Sequence, residues 1–337
     1  MVDFLDVPAV VALVSRIGPV QFLAGLVEYL EADFRRWEQF EKSARVASHS
    51  PHGVIELMPT TDAELYAFKY VNGHPANAAD GKLTVTGLGV LADVATGYPL
   101  LLSEMTICTA LRTAATSAMA ARWLARPDAS VMALIGLGAQ SEFQALAFRA
   151  STGVRTIRAF DINPRQFDRF ARNLAAFDLS LVRTSSVDDA VEGADIVTTA
   201  TADKRRAAVL SAGQVRPGVH LNAIGGDCPG KTELDPRVLA MASVFVEFEP
   251  QSRIEGEVQQ VAGDFPVTEL WRVITGSASG RTSPSQVTLF DSVGFAIEDF
   301  STLRYLYDLI RRDGGGRQID LIPALSDPTD LFGLLRC

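Results

Sequence analysis

The sequence predicts an α/β fold, a doubly wound parallel sheet beside a smaller strand-rich α+β unit, on three observations. Beyond residue 130, apolar runs at 131–135, 156–161, 196–201, 219–224, 244–248 and 287–290 alternate with helical segments, the rhythm of a parallel sheet with helices on both faces. The first of these runs ends in Gly136-Leu137-Gly138 and opens a helix. Before residue 105, short β-rich segments follow one another with only turn residues between them, which is how antiparallel strands are joined.

Residues 19–44 read as one amphipathic helix, with Phe22, Leu26, Tyr29, Leu30, Phe34, Trp37 and Phe40 on its apolar stripe. Strands are predicted at 45–49, 53–58 and 65–71, and a hairpin at 84–94 and 98–102 around Ala95-Thr96-Gly97. A helix over 109–124 places Leu111, Ala115, Ala118, Met119 and Trp123 near helical spacing and stops before Pro127. Residues 143–150 are helical. The chain closes with a helix from 296 to about 312, a Gly314-Gly315-Gly316 break and a strand-like 319–325.

A chain of 337 residues is long enough for two domains, each with its own core. Hydrophobic residues make up 47% and charged residues 21%, as in soluble globular proteins. The net charge of −9 leaves no basic excess to neutralise phosphates, so nucleic acid is excluded as a partner and a small metabolite is expected. Cys108, Cys228 and Cys337 are too few and scattered for a disulfide framework, which suits a reducing cytoplasm. The first residues lack a basic leader, and no apolar run is long enough to span a bilayer. His49, His52, His74 and His220 show no ligand spacing, so no metal is expected; His52 reads as surface and His220 as strand.

The segment Gly136-Leu137-Gly138-Ala139-Gln140-Ser141 has the strand-before, helix-after context of a Rossmann-type dinucleotide site, although Ser141 stands near the third glycine position. Gly136 would make the tight turn, Gly138 would let backbone approach a pyrophosphate, and free N–H groups at the helix start would face it. Asp161 ends the second strand of the parallel unit about 20 residues on, where an acid accepts hydrogen bonds from ribose hydroxyls and repels a 2′-phosphate. NAD is therefore the expected coenzyme, with Arg165 the one nearby group that could pair with a 2′-phosphate. Asp161 could also cap the helix that Asn163-Pro164 opens; the two roles are compatible.

The most informative stretch is Gly225-Gly226-Asp227-Cys228-Pro229-Gly230-Lys231-Thr232-Glu233-Leu234, directly after the apolar run 220–224. Its two glycines permit close backbone approach to a ligand, Pro229 and Gly230 turn the chain, and Asp227 and Lys231 oppose charges four positions apart. Three cations are candidates for holding a substrate carboxylate. Arg45 opens a β run, Lys69 lies between apolar neighbours in a strand, and Arg112 interrupts an apolar helix, so each requires a compensating partner. Lys69 alone could equally face outward from its strand, and Met58 in Glu56-Leu57-Met58-Pro59 could be plain core. In Asp291-Ser292-Val293-Gly294-Phe295-Ala296, Gly294 could bring backbone close to a ligand.

The ten residues from Gly225 to Leu234 closely resemble a motif of the ornithine cyclodeaminase and mu-crystallin family. The likeness extends over Tyr70-Val71-Asn72-Gly73-His74-Pro75-Ala76-Asn77, which resembles the family's substrate-lysine motif, and over the Leu-Arg-Thr-Ala-Ala-Thr-Ser run at Arg112. It covers 45 to about 299. It implies a substrate-binding and dimerisation domain of residues 1–113, to which 315–337 returns, and an NAD-binding Rossmann domain of 114–314. It further implies that Thr84, Arg112, Ala139, Gln140, Asp161, Thr201 and Ala202, Asn222, Ala223, Ile224, Gly225, Lys231 and Val293 line the coenzyme together with Gly136 and Gly138. Arg45, Lys69, Arg112 and Gly294 would hold the substrate and Asp227 would be the general acid/base.

The reaction implied is conversion of L-ornithine to L-proline and ammonia by internal hydride transfer, ring closure and hydride return, with NAD used catalytically in a homodimer. Three alternatives are open. A lysine cyclodeaminase forming pipecolate would need a pocket differing by one methylene, worth only about 1–3 kcal/mol. An NAD-dependent amino-acid dehydrogenase or ketimine reductase would release NADH in stoichiometric amounts. A non-catalytic binding protein would keep the coenzyme site but need none of Asp227, Lys69 and Arg112.

Overall fold

A computed structural model of the chain describes residues 1–201 and 206–336. The amino-terminal part contains β1 (Val2–Leu5), α1 (Val7–Ile17), α2 (Pro19–Arg35), β2 (Val46–Ser50), β3 (Gly53–Thr61), β4 (Leu65–Gly73), β5 (Val85–Asp93), β6 (Pro99–Glu104) and α3 (Thr106–Leu124). The second part continues with β7 (Val131–Ile135), α4 (Ser141–Ser151), β8 (Thr156–Phe160), α5 (Pro164–Leu174), β9 (Ser180–Arg183), α6 (Val187–Val191), β10 (Ile196–Thr199) and β11 (Arg206–Leu210). There follow β12 (His220–Ala223), β13 (Thr232–Leu234), α7 (Pro236–Met241), β14 (Ser243–Val246), α8 (Glu249–Glu255), β15 (Thr268–Glu269), α9 (Leu270–Ile274) and β16 (Thr288–Asp291). Helix α10 (Ala296–Asp313) and β17 (Arg317–Ile319) close the chain.

Strands β2 to β6 form consecutive antiparallel pairs, and β1 joins β6 in parallel to extend this first sheet. Strand β17 returns from the end of the chain and pairs antiparallel with β1, Asp3 opposite Gln318. The strand-like 319–325 is thus a shorter strand displaced towards the glycines. The second sheet is parallel throughout, in the order β15-β14-β16-β12-β10-β7-β8-β9. From β7 the chain runs outward to β8 and β9, then reverses to β10 on the other side, so a topological switch lies between β7 and β10. Ligands bind at the carboxyl ends of strands at such a point.

Two helices tie the sheets together. Helix α3 runs unbroken through residues 113 and 114, with Ala114, Ala115, Ala118 and Met119 fully buried in the main core. Helix α10 lies across the inner faces of β3, β4 and β5, where Ala296 packs on Met58 and Val71 and Leu303 lies above Gly89. Met58 is core. Beneath the opposite face of the parallel sheet, Ala133, Ile135, Val197, Leu221, Val238 and Leu289 form a second apolar cluster.

The helix predicted over 19–44 is shorter: α2 ends at Arg35, and a single 3₁₀ turn follows at Trp37–Gln39. Long-range ion pairs override the helical periodicity there. Arg36 donates to Asp33 at 2.8 Å and to Asp62 at 2.6 Å, with its guanidinium over the Phe40 ring, while Lys42 Nζ takes the carbonyls of Trp37 and Phe40. Asp33, completely buried, also accepts from Ser301 and Arg304 of α10. Among the described residues no single helix is long and apolar enough to cross a membrane.

Candidate active site

At the switch point, Gly136 turns out of β7 with φ +94°, and a Cβ there would lie 2.6 Å from the carbonyl oxygen of Ala200 beyond β10. Only glycine fits. A Cβ on Gly138 would meet nothing within 4 Å, so open space borders the backbone where a diphosphate is expected. Ser141, buried at the start of α4, donates to the Gly138 carbonyl at 2.8 Å and closes the turn in place of a third glycine. Arg169 of α5 clamps the loop from outside through the carbonyls of Leu137 and Gly138. Asp161 directs Oδ2 to the Leu137 N–H at 2.7 Å and Oδ1 to that of Asn163. It does not cap α5, because Asn163 occupies the N-cap and accepts from the Arg165 N–H. Arg165 is exposed.

Deeper in the crevice a polar string joins the two helices to the sheet. Gln144 donates to Ser117 at 3.2 Å, and Asn222 donates to Thr198 at 3.2 Å and approaches Gln144 at 3.5 Å. Asn222 Oδ1 and Gln140 Oε1 are buried without hydrogen-bond partners among the described residues. Buried acceptors are normally satisfied, so this string, the open space at Gly138 and the acid after β8 fit a dinucleotide. Ala223 and Ile224 end β12 beside it, and Ala139 is exposed at the loop tip. Thr84 stands apart, exposed ahead of β5 with its carbonyl on the His74 N–H. Ala202 lies outside the described residues, whereas Thr201 is held by Glu233.

Facing this crevice, the first sheet and α3 bring the predicted cations to the turn that follows β16, against acids of α10. Arg45 donates to the carbonyls of Val293 and Gly294, both at 2.7 Å, and pairs with Glu56 and Glu255 at 3.1 Å. Arg112 pairs with Glu298 at 2.7 Å and Asp299 at 3.3 Å. Gly294 has φ +77°, and a Cβ there would sit 2.5 Å from Arg112 Nη1, so this glycine makes room for the guanidinium. Lys69 does not face outward. It is 1% exposed, on the inward face of β4, with Nζ 2.8 Å from Asp299. Glu247 fixes the turn from below by accepting from Ser292 Oγ and from the N–H groups of Val293 and Gly294.

The sequence reading missed the acids that compensate these cations. Glu298 and Asp299 were legible as adjacent carboxylates in the otherwise apolar first turn of the last helix, but their pairing depends on how the chain returns. Burial lowers Lys69 to about 8, reinforced by the neighbouring Arg112 and opposed by Asp299. Burial lifts Glu298 to about 8 and Glu255 to about 7, against the pull of Arg112 and Arg45 respectively. Near neutral pH part of the acid surplus is therefore protonated, and the cations keep positive charge for an incoming carboxylate.

Asp227 lies on the loop beyond β12, its side chain 54% exposed and 3.1 Å from the buried Lys231 Nζ. Burial opposes the charge of Lys231, but Asp227 and Glu233 hold it protonated above the ordinary lysine range. Asp227 and Glu255 are close enough for the Asp227 charge to raise Glu255. Among the described residues no group of three or more metal-ligating side chains occurs. His220 is a strand residue, buried against Thr288 Oγ1 at 3.0 Å and lowered to about 3 by burial.

Burial also lifts Asp291 to about 7 and Glu257 to about 8. Such groups bind more protons folded than unfolded, so their contribution is complete below the ordinary carboxylate range and is lost as pH rises through the folded values. Each costs about 1.4 kcal/mol per pH unit across its window. Urea midpoints are accordingly expected to fall from pH 5 to pH 8; a midpoint that rises steadily over that interval would show these acids to be ionised in the folded protein.

The model of the ornithine cyclodeaminase/mu-crystallin family matches residues 7–314, and the chain belongs to that family. Over 335 residues the chain is 58% identical to ornithine cyclodeaminase of Agrobacterium fabrum strain C58, covering 99% of this chain and 95% of that one. Among solved structures it is similar to a lysine cyclodeaminase studied for recognition of L-lysine, L-ornithine and L-2,4-diaminobutyric acid, with TM-score 0.91, 30% identity and 99% of both chains covered. It is also similar to an archaeal alanine dehydrogenase dimer with bound NAD, with TM-score 0.86 and 29% identity over 95% of this chain and 99% of that one.

Proposed function

We propose that this chain converts L-ornithine to L-proline and ammonia with NAD as a retained coenzyme. The observation that carries the reading is the convergence of Arg45, Lys69 and Arg112 on the Gly294 turn, opposite a dinucleotide crevice and beside the Asp227 loop. Bound NAD would supply a hydride acceptor and donor at the substrate carbon. Gly136, Gly138, Ala139, Gln140, Asp161, Thr201, Asn222 to Gly225, Lys231 and Val293 would hold it, with Arg112 and Thr84 contributed from the other side.

The three cations orient the substrate by its carboxylate, fixing Cα within the crevice. Asp227 takes and returns protons at the substrate amines, which ring closure with loss of ammonia requires and a simple oxidoreductase does not. Lys231 anchors that acid while lying buried itself. The acids Glu56 and Glu255 at Arg45, with Asp227 near Glu255, suit a substrate with two ammonium groups rather than one. That balance favours a diamino acid over the alanine for which the archaeal dehydrogenase is named.

The division into a unit of 1–113 with 315–337 and a unit of 114–314 is part of the same proposal, with α3 and α10 as the shared walls of the site. The outward face of the first sheet carries Val46, Ile55, Leu57, Tyr66 and Leu88, all more than one-third exposed. Leu57 and Leu88 flank Tyr70 in register. An apolar sheet face of this kind is suited to a second copy of the chain, and we assign the homodimer to it. A cytoplasmic location fits the same reading.

Incubation with ornithine deuterated at Cα, followed by product identification, tests the reaction. Proline keeping the label, with ammonia and no accumulating NADH, is the expected result. NADH formed in step with ornithine consumption and no proline would assign the chain to dehydrogenation instead.

A further inference from the structure

Three buried carboxylates outside the substrate cluster are connected one behind another. Asp291, at the end of β16, accepts the N–H groups of Glu257 and Val258 at 2.8 and 2.9 Å. Glu257 accepts those of Glu233 and Leu234 at 2.6 and 3.0 Å. Glu233 in turn accepts the Thr201 N–H at 2.6 Å and the Thr201 hydroxyl through the same oxygen, Oε1. All three are at most 1% exposed. The string begins next to the Ser292–Gly294 turn, passes under the Asp227 loop and ends at the coenzyme turn after β10.

Each carboxylate occupies the place of a missing side chain. A Cβ on Gly256 would lie 2.5 Å from Asp291 Oδ2, one on Gly226 would lie 2.7 Å from Glu257 Oε1, and one on Gly225 would collide with the Glu233 carboxylate. The glycine pair ahead of Asp227, read from the sequence as giving a ligand access to the backbone, thus admits two acids from behind the loop. Neither glycine has a positive φ, so the space and not the backbone conformation requires them.

We propose that Asp291, Glu257 and Glu233 are positioning residues that set the Asp227 loop and the Thr201 turn relative to each other, so that the acid/base and coenzyme sites are held as one unit. None reaches the reacting atoms. Asp291 and Glu257 use both oxygens on backbone N–H groups, so an amide at either position must turn an NH₂ against an N–H donor. Glu233 holds Thr201 through Oε1 alone, and its other polar neighbour is the Thr199 hydroxyl, which can accept from an amide NH₂, so Gln can replace it while keeping the bond to Thr201. The inference rests on the assignment of Asp227 as acid/base, but NAD titration reports on the string whether or not ornithine is the substrate.

The test is calorimetric titration of NAD into Glu257→Gln, Glu233→Ala and Glu233→Gln, with kcat and KM for ornithine on the same preparations. A buried donor left unsatisfied loosens the turn that borders the coenzyme, so Glu257→Gln and Glu233→Ala are expected to weaken NAD by about tenfold or more. In these two variants kcat falls while KM for ornithine moves little, and Glu233→Gln restores most of the affinity. A folded Glu257→Gln protein with NAD affinity within about twofold of the wild type overturns the proposal. So does Glu233→Gln as damaged as Glu233→Ala, a comparison that decides the matter if Glu257→Gln fails to fold. Absence of ornithine turnover in the wild-type protein itself, with NAD affinity changing across the variants as expected, would leave the string intact and count against the substrate assignment.

Discussion

Asp227→Asn is expected to lower kcat by about 10²–10⁴-fold, the usual contribution of a positioned general acid/base, while NAD affinity and unfolding midpoint stay close to the wild-type values. The amide preserves size and hydrogen bonding but cannot take a proton from a substrate amine. The fold tolerates the change because the Asp227 side chain is more than half exposed and the buried Lys231 keeps Glu233 as a second acid. Ammonia release measured at saturating ornithine checks the prediction. Turnover within a few-fold of the wild type would remove Asp227 from the chemistry and leave the loop a structural turn.

Lys69→Met is expected to destabilise the protein by about 3–5 kcal/mol, the cost of stripping one partner from a buried ion pair. Asp299 is 1% exposed, its Oδ2 already lacks a hydrogen bond, and Arg112 Nε at 3.3 Å becomes its remaining cation. Lys69→Met combined with Asp299→Asn should recover most of that loss, since neither member then carries an uncompensated charge. Ornithine affinity should not recover, because the lost ammonium is one of the three cations facing the carboxylate. Urea denaturation of both variants, with KM for the double variant, separates the two effects. A Lys69→Met protein as stable as the wild type would mean that Arg112 alone neutralises Asp299. A double variant with unchanged KM would place the substrate carboxylate elsewhere.

The parts of this protein that its sequence determined are those governed by short-range physics. Strand and helix periods gave the parallel sheet and its order of elements, because side chains alternate faces every two residues in a strand and every three to four in a helix. Gly136-Leu137-Gly138 and Asp161 marked the crevice because a tight turn and a strand-end acid are local requirements. The cations Arg45, Lys69 and Arg112 were legible as charges in apolar company, and Asp227 as the acid of an ordered loop.

Tertiary structure alone decided what neutralises those charges. Lys69 meets Asp299 across 230 positions, Arg112 meets Glu298 across 186, and Arg45 reaches the Val293 carbonyl across 248. No local pattern encodes such pairs, because they depend on α10 returning over the inner face of the first sheet. The same return put Arg304 and Ser301 on Asp33, at the carboxyl end of α2, where Arg36 turns the chain towards Asp62 and ends the helix short of its apolar stripe. It took the three-dimensional packing, too, to show that Gly225 and Gly226 make room for Glu233 and Glu257, since a glycine in sequence states only that a side chain is absent and not what fills its place.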